Sequence, residues 1–485
     1  MIAPSLPFVH MSHFFRARSS DELLARHGER YKSLVLLVVG LGTIAGVLST
    51  TSFNVAIPAL GRHFALGQDQ VQWAITGFMG AMTVAMLPTP WLLDRLGFRR
   101  LFLGAVTLLA LASLAGSLTE SFSQLVAARI VQGAAAGCLQ PLGPLAVMRL
   151  FPAGQQGKAS GMLGFGIVLA PAVAPALSGS LLDHFGWPAV FLVSLPVCLG
   201  AGLLGLRLLP AAAPKARQSF DWIGLCLLTG ATLLLVESTA ALHHSGLGSL
   251  RTWASFAIAA AALLLFVRHA RRNAAPIISL QVFGQRNFSL GCVVSFSYGF
   301  GLYASTYLIP VFLQDALGYG AGQAGATLLP SGIALAATIP IAGRLADRLP
   351  AQWVTASGLL LFGLSFALLA VFGAGVSYAM LIAVTILGRV GLGMILPALS
   401  LASLRNLPAH QLGQSSTVFS YTRQVGGVLG IAIAAVFVEW RLSVYQGLAS
   451  GSSAAYAEGF ALLAAIFVLA LVAALAMRRD TLPVA

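Results

Sequence analysis

The chain has 485 residues, of which 9% are charged and 58% hydrophobic, with a mean hydropathy of +0.88. A soluble protein carries roughly 25% charged residues, and there is too little polar surface here to cover a water-exposed globule, so composition excludes a soluble fold and leaves a polytopic membrane protein. The net charge of +14 is scattered singly or in small groups at the ends of apolar runs, with no basic stripe and no aromatic interleaving, which argues against nucleic acid as a partner.

In chain order, residues 1–32 hold no long apolar run before Lys32, so no cleavable signal peptide is expected. Residues 21–32 are read as either an amphipathic surface helix or a disordered tail. A spanning helix needs about 20 mostly apolar residues. That window places spans near 33–59, 70–92, 101–119, 122–146, 159–182, 187–208 and 222–242. It places further spans near 251–268, 288–313, 323–345, 353–373, 376–400, 415–438 and 456–477. The expected fold is therefore an all-α polytopic membrane protein with fourteen transmembrane helices. Cys138, Cys198, Cys226 and Cys292 all fall inside apolar runs and are read as small buried hydrophobes.

Charge placement tests this topology. With the N-terminus inside, the cytoplasmic segments hold twenty-two of the 28 Lys and Arg residues, and the opposite side holds three, Arg62, Arg251 and Arg441. Arg129, Arg389 and Arg423 lie within spans. One missed or invented helix would scramble that asymmetry, so both termini are placed in the cytoplasm.

The chain also repeats itself. Leu-x-Asp-Arg-Leu closes the second span at Asp94-Arg95 and the tenth at Asp347-Arg348, and Arg129-x-x-x-Gly133 in the fourth span is matched by Arg389-x-x-x-Gly393 in the twelfth. The expected organisation is a cytoplasmic N-terminal tail (1–32), an N-terminal six-helix bundle (33–209), a linker with two inserted helices (210–275), a C-terminal six-helix bundle (276–478) and a cytoplasmic tail (479–485).

This plan resembles the major facilitator superfamily, and within it the fourteen-helix drug:proton antiporter branch of multidrug-resistance-type exporters. The family loop after helix 2 reads roughly Gly-x-Leu-Ala-Asp-Arg-x-Gly-Arg-Lys; Asp94, Arg95, Gly97, Arg99 and Arg100 match it, and Pro90 replaces the opening glycine. Arg129, Gln132 and Gly133 match the helix-4 pattern, and Gly166, Ala170-Pro171, Ala174-Pro175 and Ser178-Gly179 follow the antiporter glycine/proline series in helix 5. Phe220-Asp221-Trp222-Ile223-Gly224 and Arg423-Gln424-x-Gly426-Gly427 also look like this branch. The resemblance implies two pseudo-symmetric six-helix bundles with two inserted helices. In helix 1 the branch has Leu-Asp-x-Thr-Ile-Val-Asn, whereas this chain has Leu48-Ser49-Thr50-Thr51-Ser52-Phe53-Asn54, so the membrane aspartate is a serine.

An arginine inside a span is costly and usually functional. Counting 1.5 Å per residue puts Arg129 ~10 Å, and residues 49–54 ~6–14 Å, below the outer surface. Arg129 is therefore expected to be held by the hydroxyls and amide of Ser49, Thr50, Thr51, Ser52 and Asn54, or by helix-1 carbonyls. Substrate or coupling candidates are Ser49, Thr50, Asn54, Arg129, Gln132, Glu237 and Arg389; Glu237 is the acid expected within a span. Asp94 and Asp347 are read as carboxylates that dock on helix N-termini and arginines, with Arg95, Gly97, Arg99, Arg348 and Arg423 in the same gating set. Pro171 and Pro175 remove backbone donors and are expected to bend helix 5. Trp73, Phe78, Gln140, Phe296, Tyr298, Tyr303, Tyr307 and Gln314 could line a cavity or simply pack. Gly40-Leu-Gly-Thr-Ile-Ala45 superficially matches a dinucleotide fingerprint, but it sits within a span with no strand before it.

The leading expectation is export of small amphipathic drugs or metabolites by alternating access, with protons as the coupling ion that the resemblance implies. The second is an uncoupled facilitator or importer of organic anions, because Ser49 replaces the helix-1 acid. No catalytic constellation, metal set or cofactor motif is seen, so no enzyme activity is expected. The implied setting is the bacterial inner membrane, with a small-molecule substrate, protons and the bilayer as partners and a membrane-fusion or outer-membrane efflux partner left open.

Overall fold

A computed structural model describes residues 20–66, 68–71, 73–210, 219–245, 249–273, 275–446 and 451–478. The linker 211–218 and the chain ends lie outside the described residues, and no β-strand occurs among those described. The helices are α1 (Ser20–His27), α2 (Arg30–Thr51), α3 (Ile57–Phe64), α4 (Gln68–Val71), α5 (Trp73–Met86), α6 (Thr89–Leu96), α7 (Phe98–Ser117), α8 (Phe122–Leu139), α9 (Leu142–Leu150) and α10 (Gln156–Phe185). There follow α11 (Leu195–Leu208), α12 (Trp222–Ser245), α13 (Leu250–Arg272), α14 (Arg286–Asp315), α15 (Ala321–Arg348), α16 (Ala351–Phe372), α17 (Tyr378–Leu404), α18 (Leu412–Val444) and α19 (Gly451–Leu475). Among the described residues, 11 helical stretches are long and apolar enough to cross a membrane, and Trp73–Met86 and Trp222–Leu235 are shorter apolar helices.

Proline explains where expected spans break. Span 33–59 becomes α2, a 3-10 segment over Ser52–Ala56, and α3, because Pro58 has no N–H to continue the ladder. Pro88 separates α5 from α6, Pro141 separates α8 from α9, and Pro188 and Pro196 accompany a 3-10 segment, Trp187–Ser194, before α11. Later prolines behave differently: Pro310, Pro330, Pro340 and Pro397 lie inside continuous α14, α15 and α17. α10 also runs on as one helix through positions 171 and 175, and the side chains of Pro171 and Pro175 lie outside the described residues.

The chain divides into two compact units, Met1–Ala146 with Val173–Gln218, and Val147–Ala172 with Ser219–Ala485. In the first, Phe53, Leu60, Leu125, Trp187 and Phe191 form a buried cluster, with Phe53 edge-on to Phe191 at 5.0 Å. α5 packs backbone to backbone against α8: a Cβ on Gly133 would lie 2.2 Å from the Phe78 carbonyl oxygen, and one on Gly137 would lie 2.2 Å from that of Met82. In the second unit α18 repeats this against α14, where a Cβ on Gly426 would lie 2.2 Å from Phe296 O and one on Gly430 would lie 2.4 Å from Phe300 O. Without a hydrophobic drive between helices in lipid, such close approach supplies the dispersion contacts that hold them together.

α12 and α13 pack on each other, and α12 reaches α18 through a hydrogen bond between the Thr232 and Tyr421 hydroxyls. Cys226 on α12 is exposed, a departure from the expected burial, because this pair meets few other helices. Asp221 ties the pair to the chain that follows. Its Oδ1 accepts from Gly224 N–H (2.9 Å) and pairs with His269 Nε2 (2.7 Å), and its Oδ2 accepts from Ile277 N–H (3.1 Å). Burial pushes the Asp221 carboxyl up, but these three hydrogen bonds and the nearby His269 outweigh it and hold the group below the usual carboxylate range.

Two outcomes follow from this packing. Gly426→Val should lower the melting temperature in detergent by the equivalent of about 1–3 kcal/mol or more, whereas Gly104→Ala, with nothing within 4 Å of an added Cβ, should leave it unchanged. Asp221→Asn should destabilise the protein at neutral pH. Because the folded Asp221 sits below its unfolded value of about 3.9, its contribution is complete above that value and disappears as pH falls through the folded one, so the two melting curves should converge only in strong acid.

Candidate functional site

Arg129 projects from α8 into the interior of the first unit and is 1% exposed. Its Nε donates to the Ala74 carbonyl (3.1 Å), and its Nη1 donates to the Ser49 carbonyl (2.8 Å) and to Gln132 Oε1 (2.9 Å). The rings of Phe53 and Phe78 lie 4.3 and 4.2 Å from the guanidinium carbon, so aromatic faces cover the cation where oxygens do not. Nη2 has no hydrogen-bond partner among the described residues. Gln132 Nε2 in turn donates to Ser113 Oγ (2.8 Å), which lies 3.3 Å from Ser194 Oγ. A polar thread thus runs from α2 and α5 through α8 to α7 and the 3-10 segment before α11.

The depth match between Arg129 and helix 1 is realised through carbonyls. The Ser49, Thr50 and Thr51 hydroxyls donate back along their own helix, to Ala45, Gly46 and Val47 carbonyls at 3.0 Å each, so none is turned to the guanidinium. The Asn54 side chain lies outside the described residues. Ala74 and Phe53 were not foreseen; nothing in their residue types distinguishes them from packing. Gln132 is the partner that the helix-4 pattern of the resembled family points to.

In the second unit Arg389 is half-buried on α17, and both it and Arg423 on α18 lie within electrostatic reach of the Tyr298 hydroxyl. Tyr303 packs over the position where a Gly427 Cβ would be, 2.5 Å from its ring. Tyr298 and Phe78 are buried, whereas Trp73 and Tyr307 are exposed. Glu237 is half-buried on α12. The long α18 and α19 also carry Glu439 and Glu458 within helix, and Glu458 accepts from Arg441 Nη2 (2.8 Å) and Tyr445 OH (2.6 Å).

Asp347 is the best-defined of the gating candidates. Its two carboxylate oxygens accept from the N–H groups of Gly157 and Lys158 at 2.7 Å each, capping the first turn of α10. Arg405 Nη2 stands 3.8 Å from Asp347 Oδ1 and donates to the Ala153 carbonyl (3.0 Å), and Arg405 Nε donates to Gln156 Oε1 (3.3 Å). Gly157 and Gly343 meet at their backbones, since a Cβ on Gly157 would lie 2.1 Å from Gly343 O. In sequence Arg405 counted only as a loop charge. Arg348 is exposed at the end of α15.

In the first unit Asp94 is half-buried in the last turn of α6, and Arg95 lies 4.9 Å from the Trp91 ring. Gly97 turns the chain at φ 78°, a left-handed conformation that favours glycine, and Arg99 Nη2 donates to the Leu206 carbonyl (2.7 Å).

The model of the Major Facilitator Superfamily matches residues 39–431 and, overlapping them, 291–484. The chain is 29% identical over 428 residues to the multidrug resistance protein B homolog of Mycobacterium tuberculosis (strain CDC 1551 / Oshkosh), covering 87% of this chain and 79% of that protein. It is 26% identical over 426 residues to the riboflavin transporter RibZ of Clostridioides difficile (strain 630), covering 88% and 92%. Among solved structures, the proton:xylose symporter XylE bound to 6-bromo-6-deoxy-D-glucose superposes with a TM-score of 0.64 at 15% identity, over 90% of this chain and 95% of that one. At that identity the likeness is one of fold.

Arg129→Met should remove the guanidinium donors from two helix carbonyls and the Gln132 amide oxygen, costing on the order of 3 kcal/mol in stability, and should abolish transport in protein that still inserts. Melting and transport assays on the purified variant check both, and wild-type values in each would remove the site from consideration. Asp347→Asn keeps one acceptor oxygen and loses the charge, which should weaken the α10 cap by about 1 kcal/mol. Cysteine-accessibility labelling around residue 157 should rise as transport falls; unchanged labelling would show that the cap does not hold this conformation.

Proposed function

We propose that this chain, which belongs to the Major Facilitator Superfamily, is a fourteen-helix exporter of small amphipathic drugs or metabolites that exchanges them for protons across a bacterial inner membrane. Membership makes it a multi-spanning secondary transporter, a class that works by alternating access and performs no bond chemistry. No group of three or more His, Cys, Asp and Glu that could hold a metal occurs among the described residues. The count of fourteen is supported by the 11 long apolar stretches together with α5, α10 and α12, which occupy positions where the sequence expects spans. The asymmetry of Lys and Arg, twenty-two against three, supports cytoplasmic termini.

The observation that carries the export reading is the match to a multidrug resistance protein over 87% of this chain. Arg129 with its aromatic and carbonyl partners, Gln132 and Arg389 are read as the substrate and coupling region, and Asp94, Asp347 and the arginines near them as the gates. One observation favours a second reading, an uncoupled facilitator or importer of organic anions: Ser49 offers Arg129 only its carbonyl, and its hydroxyl is bonded within α2.

Proteoliposomes with a pH gradient separate the two. With ethidium and riboflavin as fluorescent probes, a proton-driven exporter should accumulate at least one of them against its gradient and lose that accumulation when nigericin collapses the pH difference. Ser49→Asp, which restores a carboxylate beside Arg129, should then steepen the pH dependence. Probe flux that only equilibrates, with or without the gradient, would overturn proton coupling and leave the facilitator reading.

A further inference from the structure

The motif Phe220-Asp221-Trp222-Ile223-Gly224 has no part in the transport reading, yet it forms one wall of a cavity of about 480 Å³ where α12 begins and α13 ends. The opposite wall is His269, Arg272 and Asn273. Asp221 does not repel an anion entering here: its side chain is 2% exposed and both oxygens are taken by Gly224, His269 and Ile277. Arg272 is the only Lys or Arg on the wall, is exposed, and makes no hydrogen bond or ion pair among the described residues. Asn273 beside it turns its Oδ1 to Ala275 N–H (3.1 Å), and its amide nitrogen, 3.4 Å from His269 Nε2, has a second N–H to offer.

The apolar surroundings say what kind of anion fits. Trp222 and Ile223 are 68% and 62% exposed at the end of an apolar helix, with Phe220 edge-on to Trp222 at 4.6 Å, the arrangement of side chains at a membrane interface. From the cavity, α13 continues into a face of exposed Leu265, Leu264 and Ile258. A cation beside an interfacial indole, at the head of a bare apolar helix face, matches a molecule with a phosphate at one end and hydrocarbon at the other. Arg268 and Arg271 lie on the same last turns of α13 but line no part of the cavity, so Arg272 is the cation that selects an anionic headgroup over a neutral one.

We propose that this cavity binds an anionic membrane glycerophospholipid, with Arg272 and Asn273 on the phosphate, Trp222 over the glycerol region and the acyl chains along α13. The site links the inserted pair to the lipid around it.

Native mass spectrometry of the full-length purified protein, loaded with phosphatidylglycerol, tests this. Wild type should retain the lipid, and Arg272→Gln and Trp222→Ala should each lower retention about five-fold. Arg271→Gln, which does not touch the cavity wall, should retain it as wild type does, and circular dichroism melting confirms that each variant is folded. Equal retention in Arg272→Gln would overturn the site, and an equal loss in Arg271→Gln would reduce it to diffuse surface charge. Displacement of the lipid by millimolar inorganic phosphate alone would overturn the lipid assignment in favour of a free-phosphate site.

Discussion

A guanidinium among helices that face hydrocarbon persists only where the protein supplies every acceptor that water would have supplied. Arg129 meets most of that demand with two main-chain carbonyls, one side-chain amide and two ring faces, while its Nη2 has no hydrogen-bond partner among the described residues. Carbonyls of this kind are in surplus only where a helix ladder is interrupted or its donors are shared. The Ser49 carbonyl sits just before α2 loosens into the 3-10 segment over Ser52–Ala56, so the irregular backbone and the buried cation belong to one arrangement there, whereas the Ala74 carbonyl in the first turn of α5 uses its second lone pair.

Close packing depends on the same economy of polar groups. Gly133 and Gly137 bring α8 against the α5 backbone, so α5 cannot move away from the guanidinium that grips Ala74 without also parting at the glycines. Phe78 serves both contacts. Its carbonyl oxygen faces the Gly133 position, and its ring covers Arg129. Glycine packing and cation burial are therefore coupled in α5, and a substitution at Gly133 is felt at Arg129 through one residue.

Much of this was legible in sequence because it rests on repetition and on charge. The Arg-x-x-x-Gly echo, the Asp-Arg echo and the inside–outside asymmetry of Lys and Arg are properties of residue type and spacing, and they led to the fold and to Arg129. Other features depend on backbone geometry that residue types do not encode. Nothing about Ala74 signals that its carbonyl is an arginine ligand, and a run of hydroxyls at positions 49–52 reads as a polar surface until three of them are seen bonded to their own helix. Prolines were equally ambiguous. Pro58, Pro88 and Pro141 coincide with breaks, whereas Pro310, Pro330, Pro340 and Pro397 are carried inside intact helices, because neighbouring packing decides whether the freed carbonyl is tolerated.

A serine at position 49, where the antiporter branch that the sequence resembles has an aspartate, bears on what Arg129 can do. A carboxylate beside it would give a pair whose net charge depends on protonation, so that a proton arriving there would loosen the grip on α2. With carbonyls and an amide as partners, no group in contact with the guanidinium gains or loses a proton near neutral pH, and the grip is the same at every pH in that range. Under the proton-coupled reading the proton would act through another titratable group, and the described helices carry Asp94 on α6, Asp183 on α10, Glu237 on α12, Asp315 on α14, Asp347 on α15, Glu439 on α18 and Glu458 on α19. Glu458 is committed to Arg441 and Tyr445. Among the described residues, no titratable side chain other than Arg129 itself joins the thread of Ser49, Ala74, Gln132, Ser113 and Ser194, so its hydrogen bonds do not depend on protonation near neutral pH.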